Sequence, residues 1–266
     1  MTGASLLASS VPALAARLDN YDGQWHFNFT PYAWFPNIDQ TLQYENPLGG
    51  SGSLEIGVKP DSYLGNLKFG LMGTFDARKG DWSLVADLVY ADLNNQQGRV
   101  MQAQGPLGAE PLAINRDIDV SIQSLILQGA VGYNLARSPA GTLDLLGGVR
   151  YLGMATSTDL RLSGPNGILT YSISNTKRLD IWDGILGIRG ELFLGDTDKW
   201  FLPYYFDVGL GNYANWTWQG LIGLGYRYDW GNLLLAFRTI NYATTGDGVL
   251  QEMKMQGPAL GVTFHW

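Results

Sequence analysis

From Leu260 to the C-terminus the chain alternates without a break. Leu260, Val262, Phe264 and Trp266 share one face, and Ala259, Gly261, Thr263 and His265 share the other. A strand has a side-chain period of two, so one face is wholly apolar and the other small or polar. An apolar face ending on an aromatic, opposite a small or polar face, is the pattern of a strand that crosses a membrane within a β-barrel. Such a strand cannot stand alone in lipid, because its backbone must be hydrogen-bonded on both sides around a closed ring.

The same division recurs. In the segment from Asn215 to Trp230, Trp216, Trp218, Ile222, Leu224, Tyr226 and Tyr228 share a face, with aromatics at both ends and aliphatics between. Asn215, Thr217, Gln219, Gly223, Gly225, Arg227 and Asp229 share the other. That order is a vertical section of a bilayer, and a soluble sandwich strand would not need it. Segments 25–35, 68–78, 82–90, 125–134, 143–151, 182–192, 202–210 and 233–239 follow the same rule. The expected fold is all-β, an antiparallel up-and-down transmembrane barrel of about ten strands.

Turn chemistry sets its orientation. Short connections at Gly80-Asp81, Ser138-Pro139-Ala140-Gly141, Gly195-Asp196-Thr197-Asp198 and Trp230-Gly231 are hairpin turns. Long connections at 37–66, 94–118, 162–177 and 244–254 alternate with them, and only 212–214 is short on that side. Short turns face the periplasm in such barrels, so both termini fall at the periplasmic rim and the strand number is even. Within 37–66, Asp39–Glu45 and Ser53–Lys59 alternate weakly and are shorter than the roughly 9–11 residues a spanning strand needs. They are expected as an extracellular hairpin or an inward-folded segment, with a barrel of about twelve strands as the alternative. Asp61–Leu67 is expected to form one helical turn capped by Asp61 or Ser62.

Composition agrees. There are 35 Gly, 9 Trp, 14 Tyr and 10 Phe with only 15% charged residues, which suits aromatic girdles with glycine where strands bend or crowd. No run of 18 apolar residues follows the N-terminal segment, so a membrane-spanning helix is excluded. The absence of cysteine suits export, and a net charge of -7 argues against nucleic acid as a partner. Leu6 to Ala15 reads as the second half of a secretory signal with Ala13-x-Ala15 as its cleavage motif. Residues 1–15 are therefore expected to be a residual signal peptide and 16–266 a single barrel domain.

The tail that ends Phe264-His265-Trp266 resembles the C-terminal assembly signal of bacterial outer-membrane proteins, with Phe264 and Trp266 as its aromatics. Pro31-Tyr32-Ala33-Trp34, Ala77-Arg78-Lys79-Gly80-Asp81-Trp82, Ala86-Asp87-Leu88-Val89-Tyr90, Gly147-Gly148-Val149-Arg150-Tyr151 and Gly257-Pro258-Ala259-Leu260-Gly261 are landmarks of the same kind. They resemble a large, poorly characterised family of proteobacterial outer-membrane β-barrels, distantly similar to the opacity and OmpA-like small barrels. The resemblance implies the outer membrane of a Gram-negative bacterium, with outer-membrane lipids, lipopolysaccharide and the barrel assembly machinery as partners. Strand and turn landmarks say nothing of chemistry.

Candidates for catalysis are scarce. Outer-membrane phospholipase, lipid A deacylase and the omptin proteases resemble this chain in size, and each works through a histidine at the outer rim. His26 and His265 are the only histidines, and both fall at periplasmic strand ends, so no catalytic residue, metal or cofactor is expected. Two histidines without a third ligand make a weak metal site.

The informative constellation is inward-facing charge: Asp76, Arg78, Asp87, Asp144, Arg150, Asp183, Arg189, Glu191, Asp207, Arg227, Asp229 and Arg238. Charges this close must be paired or solvated. If Leu194 pairs with Trp200, Arg189 faces Tyr205 and stands diagonally from Asp207, within reach of a long side chain. The network is either a salt-bridged plug or a narrow conduit with a slight cation preference. So many inward charges argue against an apolar lumen, although Tyr32, Trp34, Phe201 and Tyr205 are placed to line a local pocket. The expected function is a non-enzymatic small-solute pore with a charged, occluded or open lumen. The alternative is a structural or adhesin-like surface barrel with binding loops at 94–118 and 162–177, ahead of a barrel enzyme that hydrolyses lipid or peptide.

Overall fold

A computed structural model describes residues 21–45, 51–97, 115–163, 170–195, 199–211, 216–243 and 250–266. The signal-peptide reading, residues 196–198 of one expected turn, Asn215 and the tips of the long connections lie outside them.

The strands are β1 (Trp25–Trp34), β2 (Asn37–Glu45), β3 (Ser51–Val58), β4 (Leu67–Lys79), β5 (Trp82–Gln97) and β6 (Asn115–Ser138). They continue as β7 (Gly141–Ser163), β8 (Thr170–Leu194), β9 (Trp200–Gly211), β10 (Trp216–Tyr228), β11 (Gly231–Ala243) and β12 (Leu250–His265). Among the described residues β1 and β4 to β12 pair antiparallel in order, and β12 returns to β1, closing a barrel of ten strands. The two-residue turn after Lys79 uses Gly80 at φ +57°, a conformation that glycine adopts without strain.

The wall facing lipid is apolar in the middle and aromatic at both ends. Trp82 meets Tyr133 at 5.0 Å and Trp200 meets Tyr226 at 4.8 Å at the periplasmic end, between ring centroids. Tyr151 with Trp182 at 4.6 Å and Phe69 with Tyr90 at 5.9 Å form the outer girdle. Leu84, Val131, Val149, Leu186, Ile222 and Leu235 stand exposed between them. Eight residues separate Trp82 from Tyr90; at ~3.3 Å each and a tilt of roughly 40° they climb about 20 Å, close to the apolar height of such a barrel.

Phe264 and Trp266 complete the lower girdle. Phe264 lies 6.0 Å from Trp230 and Trp266 6.2 Å from Phe27. The Trp266 backbone also pairs with Phe27 in both directions, at 3.0 and 3.1 Å, so the last residue helps close the ring.

Two expectations need correction, and a third is made specific. β6, β7 and β8 run to 24, 23 and 25 residues, far past the segments the apolar alternation marked. Alternation is imposed by lipid, whereas backbone pairing continues in water without it. The segment 39–59 forms the expected hairpin at the outer end, β2 paired antiparallel with β3, and not two more spanning strands. β1 stops pairing with β4 at Pro31↔Gly73, the chain turns at Pro36, and β2 takes up the ladder on the outer part of β12, from Asn37↔Gln256 to Leu42↔Leu250, with β3 beside it. Proline donates no backbone hydrogen bond, which ends the first ladder where it does. The helical turn is present as α1 (Pro60–Tyr63), followed by a 3-10 turn over Leu64–Asn66, but its N-cap is Lys59 with no side-chain cap. Pro60 at the first position supplies the helical φ instead.

Candidate functional site

The inner face is layered. At the periplasmic mouth lies a cavity of about 730 Å³, bounded at the rim by His26, His265, Tyr228 and Trp266 and at its far end by Tyr32, Asp87, Gln128 and Arg238. Tyr21 stands in this mouth, its ring 4.8 Å from the Arg78 guanidinium and 4.9 Å from that of Arg137. Beside it Asp22 accepts hydrogen bonds from His26 at 2.9 Å and from the Gln24 amide at 2.7 Å. The His26 bond first, and the amide second, hold the Asp22 carboxyl below its ordinary value.

The cavity wall carries the first charge layer. Arg78 pairs with Asp144. Arg189 reaches Asp76 at 2.5 Å and Asp144 at 3.3 Å, and donates to the Ser83 hydroxyl at 3.0 Å. Arg227 pairs with Glu191 and lies over the Phe201 ring at 4.7 Å. Gly225 makes room for that ring, because a Cβ there would coincide with it.

A second layer lies deeper. Arg238 binds Asp87 at 2.6 Å and donates to the Tyr32 hydroxyl at 2.6 Å; Tyr32 and Thr74 both donate to Asp87 at 2.8 Å. Arg150, fully buried, binds Asp207 at 2.9 Å, donates to Thr217 at 2.7 Å and has Asp183 at 3.8 Å. Tyr205 donates to Asp207 at 2.5 Å and accepts from Gln128 at 2.7 Å. Two carboxylates around one guanidinium supply the partners that a buried charge requires.

Above these layers the lumen is apolar. Ile126, Leu152, Ile181, Ile240, Tyr242 and Met253 are at most 1% exposed, and Trp34, Val89, Met255 and Ala259 pack with them. Val89, Leu152 and Ile181 are chain neighbours of Tyr90, Tyr151 and Trp182, so this septum lies at the height of the outer girdle.

Eleven of the twelve expected lumen charges are inside. Asp229 is not: it sits exposed in the β10–β11 turn, because the strand ends at Tyr228 and parity carries no meaning beyond it. Leu194 does pair with Trp200 and Arg189 with Tyr205, yet Arg189 turns away from Asp207, bonding its neighbour Asp144 on β7 and crossing the lumen to Asp76 on β4. Asp207 is taken by Arg150 instead. The expected pocket residues divide, with Tyr32, Phe201 and Tyr205 lining the cavity and Trp34 in the septum. The septum itself escaped the sequence reading, and inward charge does not exclude an apolar stretch as was expected. Its signal was there in runs where both parities are apolar, such as Leu88-Val89, Leu125-Ile126-Leu127 and Tyr151-Leu152.

No family model matches the chain, and no curated protein matches it. Solved structures do. The outer membrane protease OmpT from Escherichia coli is 8% identical with a TM-score of 0.55, covering 92% of this chain and 98% of its own. The translocator domain of the autotransporter NalP from Neisseria meningitidis is 15% identical with a TM-score of 0.42, covering 98% and 99%. The Pseudomonas putida toluene transporter TodX is 10% identical with a TM-score of 0.31, covering 94% and 93%. At these identities the likeness to the protease concerns the fold alone. That fold, with two aromatic girdles around an apolar band, makes this chain an outer-membrane β-barrel protein.

Proposed function

We propose that the protein is a non-enzymatic outer-membrane barrel that handles small polar solutes from its periplasmic side and is closed to free passage at rest. The septum carries this reading. Six side chains with at most 1% exposure fill the lumen at the outer girdle, and water does not reach them. A hydrophobic constriction of this kind gates by excluding water, so a solute in the cavity meets a closed outer end. Opening would need the septum to repack, and Met253 and Met255 within it and Met72 and Met154 at its edge are side chains that repack readily.

The histidines support the non-enzymatic part. His26 and His265 lie at the periplasmic mouth, and among the described residues no Ser or Thr hydroxyl is hydrogen-bonded to either. The likeness to opacity and OmpA-like barrels rests on the strand and turn landmarks. Outer-membrane lipid, lipopolysaccharide and the barrel assembly machinery are the partners such a barrel meets.

A surface-binding role is the second reading. β6, β7 and β8 are each about twice the roughly 9–11 residues that span a bilayer, so they project beyond the outer girdle. Planar-bilayer recording tests the first reading. The protein should give closed traces, and the double substitution Ile240→Ala with Met253→Ala should introduce conductance. Ohmic conductance in the unaltered protein would overturn the closed barrel, and a double variant that stays silent would favour the surface role.

A further inference from the structure

The cavity at the periplasmic mouth is highly charged but balanced, since its four arginines contact its four acids. An incoming anion meets carboxylates and an incoming cation meets guanidiniums, so neither sign of ligand is favoured. What the pairing leaves over is a mixed set of donors and acceptors. Arg78 Nη1, Arg238 Nε, Gln128 Oε1 and Asn232 Oδ1 belong to residues that line the cavity, are buried, and have no hydrogen-bond partner among the described residues; Asp76 Oδ2, also buried there, is held by Arg189 at 2.5 Å. Arg78 is 8% exposed and Gln128 6% exposed, so bulk water does not serve them freely.

The first four make two donors and two acceptors on β4, β6 and β11, which lie around the ring rather than side by side. An apolar ligand would leave all four unsatisfied. A hydroxyl both donates and accepts, so a ligand with several hydroxyls can take a hydrogen bond from Arg78 Nη1 while giving them to Gln128 Oε1 and Asn232 Oδ1. Tyr204 and Tyr228 offer ring surface for its C–H faces, and 730 Å³ falls in the roughly 300–1,000 Å³ range of small-molecule sites.

We propose that this cavity is a binding site for a neutral polyhydroxylated solute of sugar type, reached from the periplasm. The inference rests on the reading of the lumen as closed at its outer end.

The test is calorimetric titration of the refolded barrel in a sugar-free detergent with maltose, and with glucose, glycine betaine and sodium sulfate in parallel. Saturable maltose or glucose binding is expected, without binding of betaine or sulfate. Asn232→Leu and Gln128→Met should each weaken it about fivefold or more while the folded barrel keeps its heat-modifiable mobility. Asn232 is the cleaner probe, because Gln128 also bonds Tyr205. No saturable sugar binding up to about 100 mM, betaine or sulfate binding instead, or unchanged affinity in both variants would overturn the site. Bilayer recording on the same preparation separates the two ideas. Open-channel conductance removes the closed-barrel reading, whereas closed traces without sugar binding remove only the ligand.

Discussion

On β7 the inward side chain at position 150 is an arginine bound to two carboxylates, and the next inward side chain, Leu152, belongs to the apolar septum. β8 repeats the step with Asp183 and Ile181, and β11 with Arg238 and Ile240. On these three strands the lumen therefore changes character within one inward position, about 7 Å of strand. Below the step, charges are held by ion-pair partners; above it, closure is held by packing. The two regions should fail differently, the lower one when a partner is lost and the upper one when volume is lost.

The largest effect is expected at Arg150. Arg150→Met leaves Asp207 and Asp183 buried without their cation, which should destabilise by roughly 3–5 kcal/mol. Urea unfolding from detergent micelles reads this as a lowered midpoint. Because the septum is untouched, bilayer traces should stay closed. A variant of unaltered midpoint would mean that water already solvates this layer, and the contrast between the regions would collapse.

Septum substitutions should cost somewhat less but change the traces. Leu152→Ala and Ile181→Ala each remove packed volume from residues of 1% and 0% exposure, for about 2–4 kcal/mol. Flickering conductance is expected in these variants and not in Arg150→Met. The reverse pattern, conductance on loss of Arg150 alone, would move the seal from the septum to the ion pairs.

Which of these features the sequence reveals depends on what enforces them. Lipid forces alternation between Trp82 and Tyr90, and hairpin geometry forces the turn at Gly80, so the spanning strands, their facing and their short turns were legible. No lipid acts on the outer parts of β6 to β8, and their length was not legible. Register gives neighbours on adjoining strands, as it did for Arg189 and Tyr205. Two ion pairs follow register, Arg189 with Asp144 and Arg150 with Asp183, but others cross the lumen: Arg189 on β8 reaches Asp76 on β4, and Arg238 on β11 reaches Asp87 on β5. Those contacts depend on how tightly the ring closes and at what height each strand sits, and parity alone contains neither.

Two tyrosines on either side of the step give the smallest and most selective comparison. Tyr32 donates to Asp87 at 2.8 Å and accepts from Arg238 at 2.6 Å. Tyr32→Phe removes hydrogen bonds to charged groups and leaves both ions less well satisfied, at a cost of about 1.5–3 kcal/mol. Tyr242 is fully buried in the septum, and its hydroxyl has no hydrogen-bond partner among the described residues. Tyr242→Phe deletes a group that is desolvated without compensation while keeping the ring that faces Arg150 at 5.8 Å. It should leave stability unchanged or raise it by up to about 1 kcal/mol, with traces still closed. Equal losses in the two variants would show that Tyr242 is hydrogen-bonded, to water or to a residue outside those described, and that the septum is wetter than its packing implies.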